Sequence, residues 1–446
     1  MSQVTKKEKT DLTSAFIEQF KQESNGQSHA AIEEIRRQAI EHFASAGLPA
    51  NKHEEYKYTP ITRALEKQFI AEDLIVSTPQ LSGETKSAIR DYLLDADANQ
   101  LVFVNGEYIE ELSTIVSPAE EIIIKPLHEA LDAHTAAIEE YLGKVADSGS
   151  DPFVSLNAAL SRQGLFLHVP KSKVVEKAVL VYFFSDTSAG RVISHPRNLY
   201  IAEENAQVKV AEIFHTFGDA PSYQNAVSEI VVKQYANLHY YKYENESKAA
   251  YHTGTTQVLQ SDNSYFHAVN ISIQGAIIRN NMNAVLDAEH CESHMYGLYM
   301  LNDQSHVDNH TSVDHRKPNS FSNELYKGIM DDSSRGVFNG KIYVRPNAQK
   351  TNAFQSNANI LMSDNASVDT KPQLEIWADD VKCSHGATTG QLDKEQMFYL
   401  RARGLSKVQA RAVLLRAFAG DVIQHIVVDA LREKVEKEIS ERLENQ

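Results

Sequence analysis

The sequence predicts a mainly β protein with helical ends, and three observations support this class. From about residue 164 to about residue 382 the chain consists of many short runs of β-branched and aromatic residues, with no recognisable long helix. Asn, Gly and Ser separate these runs, whereas Pro is sparse. On either side of this region, apolar residues recur at the helical spacing of three and four.

Residues 1–150 are predicted to form a mostly helical N-terminal domain. One helix is predicted from Ala30 to Phe43, because apolar residues follow one face of it. The Asn-Gly pair within residues 101–109 lies between apolar β formers and predicts a β-hairpin. A further helix is predicted from Pro126 to Leu142, and we interpret the polar stretch from Ala146 to Pro152 as a linker.

Residues 160–383 are predicted to form the β core. Asn recurs throughout this region, tolerates left-handed backbone, and can stack on itself between successive coils. The composition therefore fits a parallel β-solenoid. No repeat of fixed length is found, however, and the same pattern fits a β-sandwich or a barrel. Periodicity alone leaves these architectures open.

Residues 391–446 are predicted to form a C-terminal helical domain. Asp393 with Gln396, and Ser406 with Gln409, have the spacing of helix-capping pairs. An apolar stripe follows, which packs either on the β core or on a partner. The stripe consists of Val408, Leu414, Leu415, Phe418, Val422, Ile423 and Ile426.

The charge and the cysteine content exclude several classes of function. The 446 residues include 44 Lys and Arg against 60 Asp and Glu, a net charge of -16 that would repel nucleic acid and anionic lipid. The first residues do not lead into a signal peptide, and no apolar run is long enough for a membrane span. We therefore expect a cytoplasmic protein whose two cysteines remain reduced.

Cys383 and His385 are the strongest candidates for chemistry. In extended chain, residues i and i+2 point to the same face, so the thiolate and the imidazole can bind one iron or zinc atom together. The only other cysteine is Cys291, so the chain cannot supply four thiolates to a cluster. Either the pair is a packing accident, or it is half of a site that another subunit completes.

A second group of potential metal ligands lies upstream. If this region is extended, the histidines that are four positions apart lie about 13 Å from each other, too far for one metal ion. Polar ladders or surface histidines are the competing interpretation. The group consists of His290, Cys291, Glu292, His294, His306, Asp308, His310, Asp314 and His315.

An enzyme is the alternative function. A β-solenoid glycosidase or lyase could use paired carboxylates, either Asp331 with Asp332 or Asp379 with Asp380. Adjacent aspartates also commonly cap turns, and Trp377 is the single tryptophan available for sugar stacking. The chain contains no complete phosphate-binding loop, nucleophile elbow or dinucleotide fingerprint.

Several separated segments, from about residue 40 to about residue 425, closely resemble the SufD branch of the SufB/SufD family of iron-sulfur assembly scaffolds. Tyr56 stands where this family usually has Trp, a change between aromatic residues that should preserve packing. The matching segments are Glu55 to Thr59, Asp379 to Asp393, Met397 to Gly404 and Ala417 to Gly420, with His315, Pro318, Ser320, Lys327, Gly328, Phe338, Gly340, Lys341, Ala348 to Thr351 and Gln355 between them.

The resemblance implies a right-handed parallel β-helix between helical end domains. It also implies a non-catalytic scaffold subunit that pairs with a SufB-like homologue and with SufC, an ABC-type ATPase. Cys383 and His385 would then contribute ligands to a transient iron-sulfur cluster at the subunit interface, with no stably bound cofactor in the isolated chain. The resemblance leaves open a homodimer when the partner is absent.

The resemblance further implies that the ATPase docks on the C-terminal helical region. The residues expected at this contact are Phe398, Tyr399, Arg403, Leu415 and Phe418.

Overall fold

A computed structural model describes residues 11–23, 30–50, 52–74 and 81–444 of the chain. The strands described here belong to two long sheets. Sheet A contains β1 (Asn99–Val104), β2 (Glu107–Tyr108), β5 (Val179–Asp186), β8 (Gln207–Phe217), β10 (Asn237–Asn245), β12 (Tyr265–Gln274), β14 (Glu292–Leu301), β16 (Phe321–Met330), β18 (Asn352–Leu361) and β21 (Lys382–Gly390).

Sheet B contains the remaining strands. These are β3 (Ile123–Pro126), β4 (Leu165–Val169), β6 (Val192–Ser194), β7 (Arg197–Ala202), β9 (Ser222–Val232), β11 (Ala250–Gln260), β13 (Ile277–Leu286), β15 (His306–His315), β17 (Arg335–Val344), β19 (Ser367–Thr370) and β20 (Gln373–Ile376).

From β8 to β19, successive strands alternate between the two sheets, and each strand pairs in parallel with the strand one coil away. The short strands β19 and β20 both pair with β17. This topology is a parallel β-helix of about eight turns. It confirms the solenoid and excludes the sandwich and the barrel. The Asn105-Gly106 turn joins β1 and β2 as an antiparallel pair at the start of sheet A.

Helices precede and follow the solenoid. The N-terminal helices are α1 (Leu12–Glu23), α2 (Ala30–Ala46), α3 (Ile61–Gln68), α4 (Gly83–Tyr92), α5 (Leu127–Tyr141) and α6 (Pro152–Leu160), with short 3₁₀ segments at Glu54–Tyr56, Ala71–Leu74 and Glu110–Leu112. The C-terminal helices are α7 (Lys394–Ala402), α8 (Lys407–Ile423) and α9 (Asp429–Glu444). No helix in these ranges is both long enough and apolar enough to span a membrane.

The helices cover the outer faces of the sheets. Apolar residues of α1, α2, α3 and α6 pack with Tyr223, Tyr251 and Ile277, which lie on sheet B. The buried faces of α8 and α9 pack on sheet A, where Leu415 and Val435 share one cluster with residues of β5 to β16. Since α8 and α9 bury their apolar residues on this chain, most of the apolar stripe is not available to a partner.

Left-handed turn residues stack along one corner of the solenoid. Asn263 and Asn319 both have positive φ, 55° and 64°, which Asn tolerates better than most residues. The Asn263 N–H donates to the Glu289 carbonyl, and the Asn319 N–H donates to the Gln349 carbonyl. These two turns are therefore hydrogen-bonded to the next coil. Other asparagines of the core, among them Asn280 and Asn357, lie within strands and not at turns.

Two local predictions are corrected by the structure. The stretch from Ala146 to Pro152 is not an open linker, because the Ala146 N–H donates to the buried Glu229 and Asp151 caps α6. The apolar spacing did not predict α6, because almost all of its residues are buried, including Ser155 and Asn157, and no polar face marks the helix. In the C-terminal region, Ser406 and Gln409 form a full capping box, whereas Asp393 caps α7 alone.

Candidate functional site at the open end of the solenoid

The last strand of sheet A, β21, carries both Cys383 and His385. It pairs with β18 on one side, and in the part of the chain that the structure describes it has no strand neighbour on the other. Every residue of β21 except Cys383 is exposed. The strand therefore presents a free row of backbone groups at the end of the solenoid.

The two candidate ligands share one face of β21. Cys383 is in register with Ala353 of β18, and His385 is in register with Gln355. Ala353 and Gln355 are both buried, with side chains that point into the solenoid. Because side chains in register on a parallel pair point the same way, Cys383 and His385 face the open end of the interior.

The environment of Cys383 favours the neutral form of its thiol. The side chain is half-buried beside an apolar cluster that includes Ile342 and Val344. Burial raises the pKa of the Cys383 thiol, and a hydrogen bond with the Ala353 backbone opposes this shift only in part. Metal binding here would have to release a proton.

Two donors do not complete a coordination sphere. Among the residues with described positions, no group of three or more His, Cys, Asp or Glu side chains is arranged to hold a metal ion. A thiol and an imidazole suit iron, but iron-sulfur clusters need further ligands. The geometry therefore fits half of a site.

The upstream group of histidines and acids is divided between separate places, although His306, Asp308 and His310 lie close together near Thr59. His290 is exposed at a turn, whereas Cys291 is buried, and burial raises the pKa of its thiol to about 11. His306 contacts Thr59, and His315 contacts Ser322 inside the solenoid. The spacing argument against one metal site is consistent with this arrangement.

Asp308 and His310 belong to a contact that the sequence analysis missed. Asp308 is buried, and its carboxylate accepts hydrogen bonds from Arg279 at 2.6 Å and from Thr59 at 2.5 Å. His310 lies between Asp308 and Glu55. Glu55 and Thr59 belong to the matching N-terminal segment, so this segment anchors the N-terminal region on sheet B.

The residues predicted to contact the ATPase differ in their exposure. Phe398 and Tyr399 on α7 are 75% and 56% exposed, and the Arg403 guanidinium lies 4.1 Å from the centre of the Tyr399 ring. Leu415 is fully buried, so it supports α8 and cannot contact a partner directly. Phe418 is partly buried, and its ring lies 4.2 Å from the Lys327 ammonium.

The paired aspartates have structural contacts. Asp331 forms a salt bridge with Arg411, and Asp332 accepts a hydrogen bond from the Asp303 N–H at a turn. Asp380 forms a salt bridge with Lys350 across neighbouring coils. These contacts agree with the turn interpretation and do not favour the carbohydrate-active enzyme.

Comparisons with known proteins identify related sequences along nearly the whole chain. Residues 183–418 match the model of the SUF system FeS cluster assembly SufBD core domain, and residues 6–181 match the SufBD protein N-terminal region. The iron-sulfur cluster assembly protein SufD of Escherichia coli is 32% identical, over 91% of this chain and 92% of its own length.

Two further relatives agree. A SufBD family iron-sulfur cluster assembly protein of Synechocystis is 29% identical over 93% of this chain and 92% of its own length. The chloroplastic protein ABCI7 of Arabidopsis thaliana is 29% identical over 92% of this chain and 86% of its own length.

Proposed function

Because this chain belongs to the SufBD family of iron-sulfur cluster assembly proteins, we propose that it is the SufD-like scaffold subunit of such an assembly complex. It pairs with a SufB-like homologue and contributes Cys383 and His385 to a nascent cluster at the subunit interface. The cluster is cargo, built on the scaffold and then passed on. The chain itself performs no catalytic step and works in the cytoplasm.

One observation carries this proposal. Cys383 and His385 lie on one face of the free edge strand β21, at the open end of the solenoid, and they are only two donors. A site buried inside one subunit would be closed by that subunit's own ligands. A site at a free strand edge can instead be completed by a second protein that pairs with the edge.

The two donors have different roles. The His385 imidazole binds iron through a ring nitrogen that carries no proton. The Cys383 thiol, whose pKa is raised, loses its proton as it binds iron, or its thiolate attacks the outer sulfur of a donor persulfide and releases the donor's thiolate. Without a SufB-like partner, a second copy of this chain can pair with the same edge and form a homodimer.

The ATPase docks on the surface formed by Phe398, Tyr399 and Arg403. Exposed aromatic rings beside a guanidinium are typical of protein interfaces, where such side chains contribute most of the binding free energy. Phe418 lies at the margin of this surface. Leu415 is excluded from it by its burial.

The decisive experiment replaces His385 in a complex reconstituted with a SufB-like subunit and SufC. We expect His385→Ala to impair cluster formation, followed by absorbance in the visible range, while circular dichroism and the unfolding midpoint of the isolated chain are unchanged. The control is His128→Ala, an exposed histidine on α5. Cluster formation at the wild-type rate in His385→Ala would count against the proposal.

A further inference from the structure

A row of three polar residues leads from the interior of the solenoid to His385. Glu324 on β16 is in register with Gln355 on β18, and Gln355 is in register with His385 on β21. Neighbouring strands lie about 4.8 Å apart, so the row extends two strand spacings inward from the free edge. All three side chains point to the same face.

The two inner residues of the row are hydrogen-bonded to each other. The Gln355 side-chain amide donates to Glu324 Oε1 at 3.3 Å, and the Thr311 hydroxyl donates to Glu324 Oε2 from the opposite wall. Glu324 is 1% exposed. Burial raises the pKa of Glu324 to about 7, although Thr311 and Gln355 both act in the opposite direction.

The Gln355 amide is held in place and still has an unused acceptor. Gln355 is 3% exposed, and its Oε1 has no hydrogen-bond partner among the residues that the structure describes. On the opposite wall, Gly340 leaves the space that this amide occupies, since a Cβ there would lie 2.3 Å from Gln355 Nε2. A buried carbonyl oxygen without a donor is costly unless a donor reaches it.

We propose that Glu324 is a positioning residue that acts through Gln355 on His385. The carboxylate holds the Gln355 amide nitrogen, which turns the amide oxygen toward the strand that carries His385. When the imidazole turns its N–H toward this unpartnered oxygen, one ring tautomer is selected. The other ring nitrogen then carries the lone pair and faces the open end, ready to bind a metal.

This proposal rests on the proposed function in one respect, which is that His385 binds iron. Its physical basis is general, because a second hydrogen-bonded group commonly fixes the tautomer and the ring orientation of a metal-binding histidine. Above the raised pKa of Glu324, where its carboxylate is charged, this acceptor strengthens the hydrogen bonds that follow it, so the comparison of variants is made at pH 8.

The test measures the tautomer of His385 by long-range ¹H–¹⁵N NMR on the metal-free full chain. In the wild type we expect one ring nitrogen of His385 to be protonated and the other not. In Gln355→Leu we expect the ratio of the two tautomers to fall about fivefold, the effect of losing one hydrogen bond. Exposed His128 is the internal reference, and its signals should not change.

Two further variants keep the test decisive if Gln355→Leu fails to fold. Glu324→Gln preserves the shape of the side chain and removes its charge, so the tautomer ratio should fall in the same direction by a smaller factor. Gly340→Ala displaces the Gln355 amide without deleting it, and should reproduce the effect of Gln355→Leu. Circular dichroism establishes that each variant is folded.

An unchanged tautomer ratio in every folded variant would overturn the proposal. This failure differs from a failure of the proposed function, because the NMR measurement uses no metal and no partner. If His385→Ala blocks cluster formation but the tautomer ratio is the same in Gln355→Leu, the proposed function is supported and the positioning role is wrong. If the tautomer ratio changes in Gln355→Leu but the His385→Ala complex forms clusters normally, the positioning role is supported and the proposed function is wrong.

Discussion

Glu324 and Gln355 are register partners on neighbouring strands, and the Gln355 amide donates to the Glu324 carboxylate over 3.3 Å inside the solenoid. A carboxylate in this position is unusual, because the free energy of burying a charged side chain is high unless it is well paired. Thr311 and Gln355 are its hydrogen-bond donors, and neither is charged. Glu324 therefore retains its proton to a higher pH than an exposed glutamate.

This shift predicts a pH-dependent effect of Glu324→Gln on stability. The pKa of Glu324 is raised from 4.5 to about 7 in the folded chain, so the unfolded chain loses this proton at lower pH. As the pH rises from 4.5 to 7, the wild type loses stability that Glu324→Gln does not lose. At pH 8 the variant should be more stable by up to about 3 kcal/mol.

Chemical denaturation at pH 5 and at pH 8 checks this prediction. The two proteins should differ little at pH 5, where Glu324 is protonated in the folded chain. Glu139→Gln, on the exposed surface of α5, is the control and should change nothing at either pH. A stability difference that is the same at both pH values would contradict the raised pKa.

The buried pair Arg279 and Asp308 should contribute strongly to stability. Burial alone would raise the pKa of Asp308, but Arg279, His310 and Thr59 together hold it below its usual range. Arg279→Met removes the cation and leaves the buried carboxylate without its charged partner, at a cost of about 3 to 5 kcal/mol in the free energy of unfolding. Denaturant unfolding measures this loss.

An exposed ion pair elsewhere in the chain provides the control. Lys371 forms a salt bridge with Glu54 at 2.7 Å, with both side chains well exposed. Lys371→Met should cost about 1 kcal/mol or less, because water screens such pairs. Similar losses for the two variants would mean that burial does not decide the contribution of Arg279.

Because one edge of β21 is free, we expect a proline substitution in this strand to affect either partner binding or folding, depending on which way the replaced N–H points. The Lys382 N–H donates to the Thr351 carbonyl, so the even-numbered residues of β21 bond to β18 and Ala387 directs its N–H outward. Ala387→Pro should therefore leave the isolated fold intact, because no hydrogen bond to β18 is lost. The preceding residue is Gly386, which has no Cβ to clash with the proline ring. Binding to a SufB-like partner should weaken by at least about tenfold.

Thr388→Pro is the matched control for this experiment. Its N–H is directed toward β18, so the substitution should lower the unfolding midpoint of the isolated chain. Partner binding is measured by calorimetry or co-purification. Normal binding of Ala387→Pro would argue that the partner does not pair with this edge.

The exposed rings on α7 predict an effect on ATPase binding without an effect on folding. Phe398→Asp replaces an exposed aromatic with a charge, so we expect affinity for SufC to fall by at least about tenfold. The stability of the isolated chain should change by about 0.5 kcal/mol or less. Ile115→Asp, at an exposed apolar residue outside the C-terminal helices, is the control. Equal affinity for both variants would exclude α7 as the docking surface.

The sequence by itself determined the features that depend on local geometry. Alternation along an extended chain places Cys383 and His385 on one face, and the spacing of Ser406 and Gln409 defines a helix start. Family motifs selected the solenoid, which composition alone could not separate from a sandwich. These signals need no knowledge of which strands become neighbours.

Only the tertiary structure decided which distant residues meet. Nothing in the sequence connects Glu324 and Gln355 with His385, because their alignment depends on the lengths of the turns that set the register of successive coils. Burial likewise separated Leu415 from Phe398, although the family resemblance placed both at the docking contact. The physical reason is that the alternation of side chains along a strand specifies which face of the sheet each one occupies. Its neighbours on adjacent strands depend instead on the lengths and turns of all the coils between them.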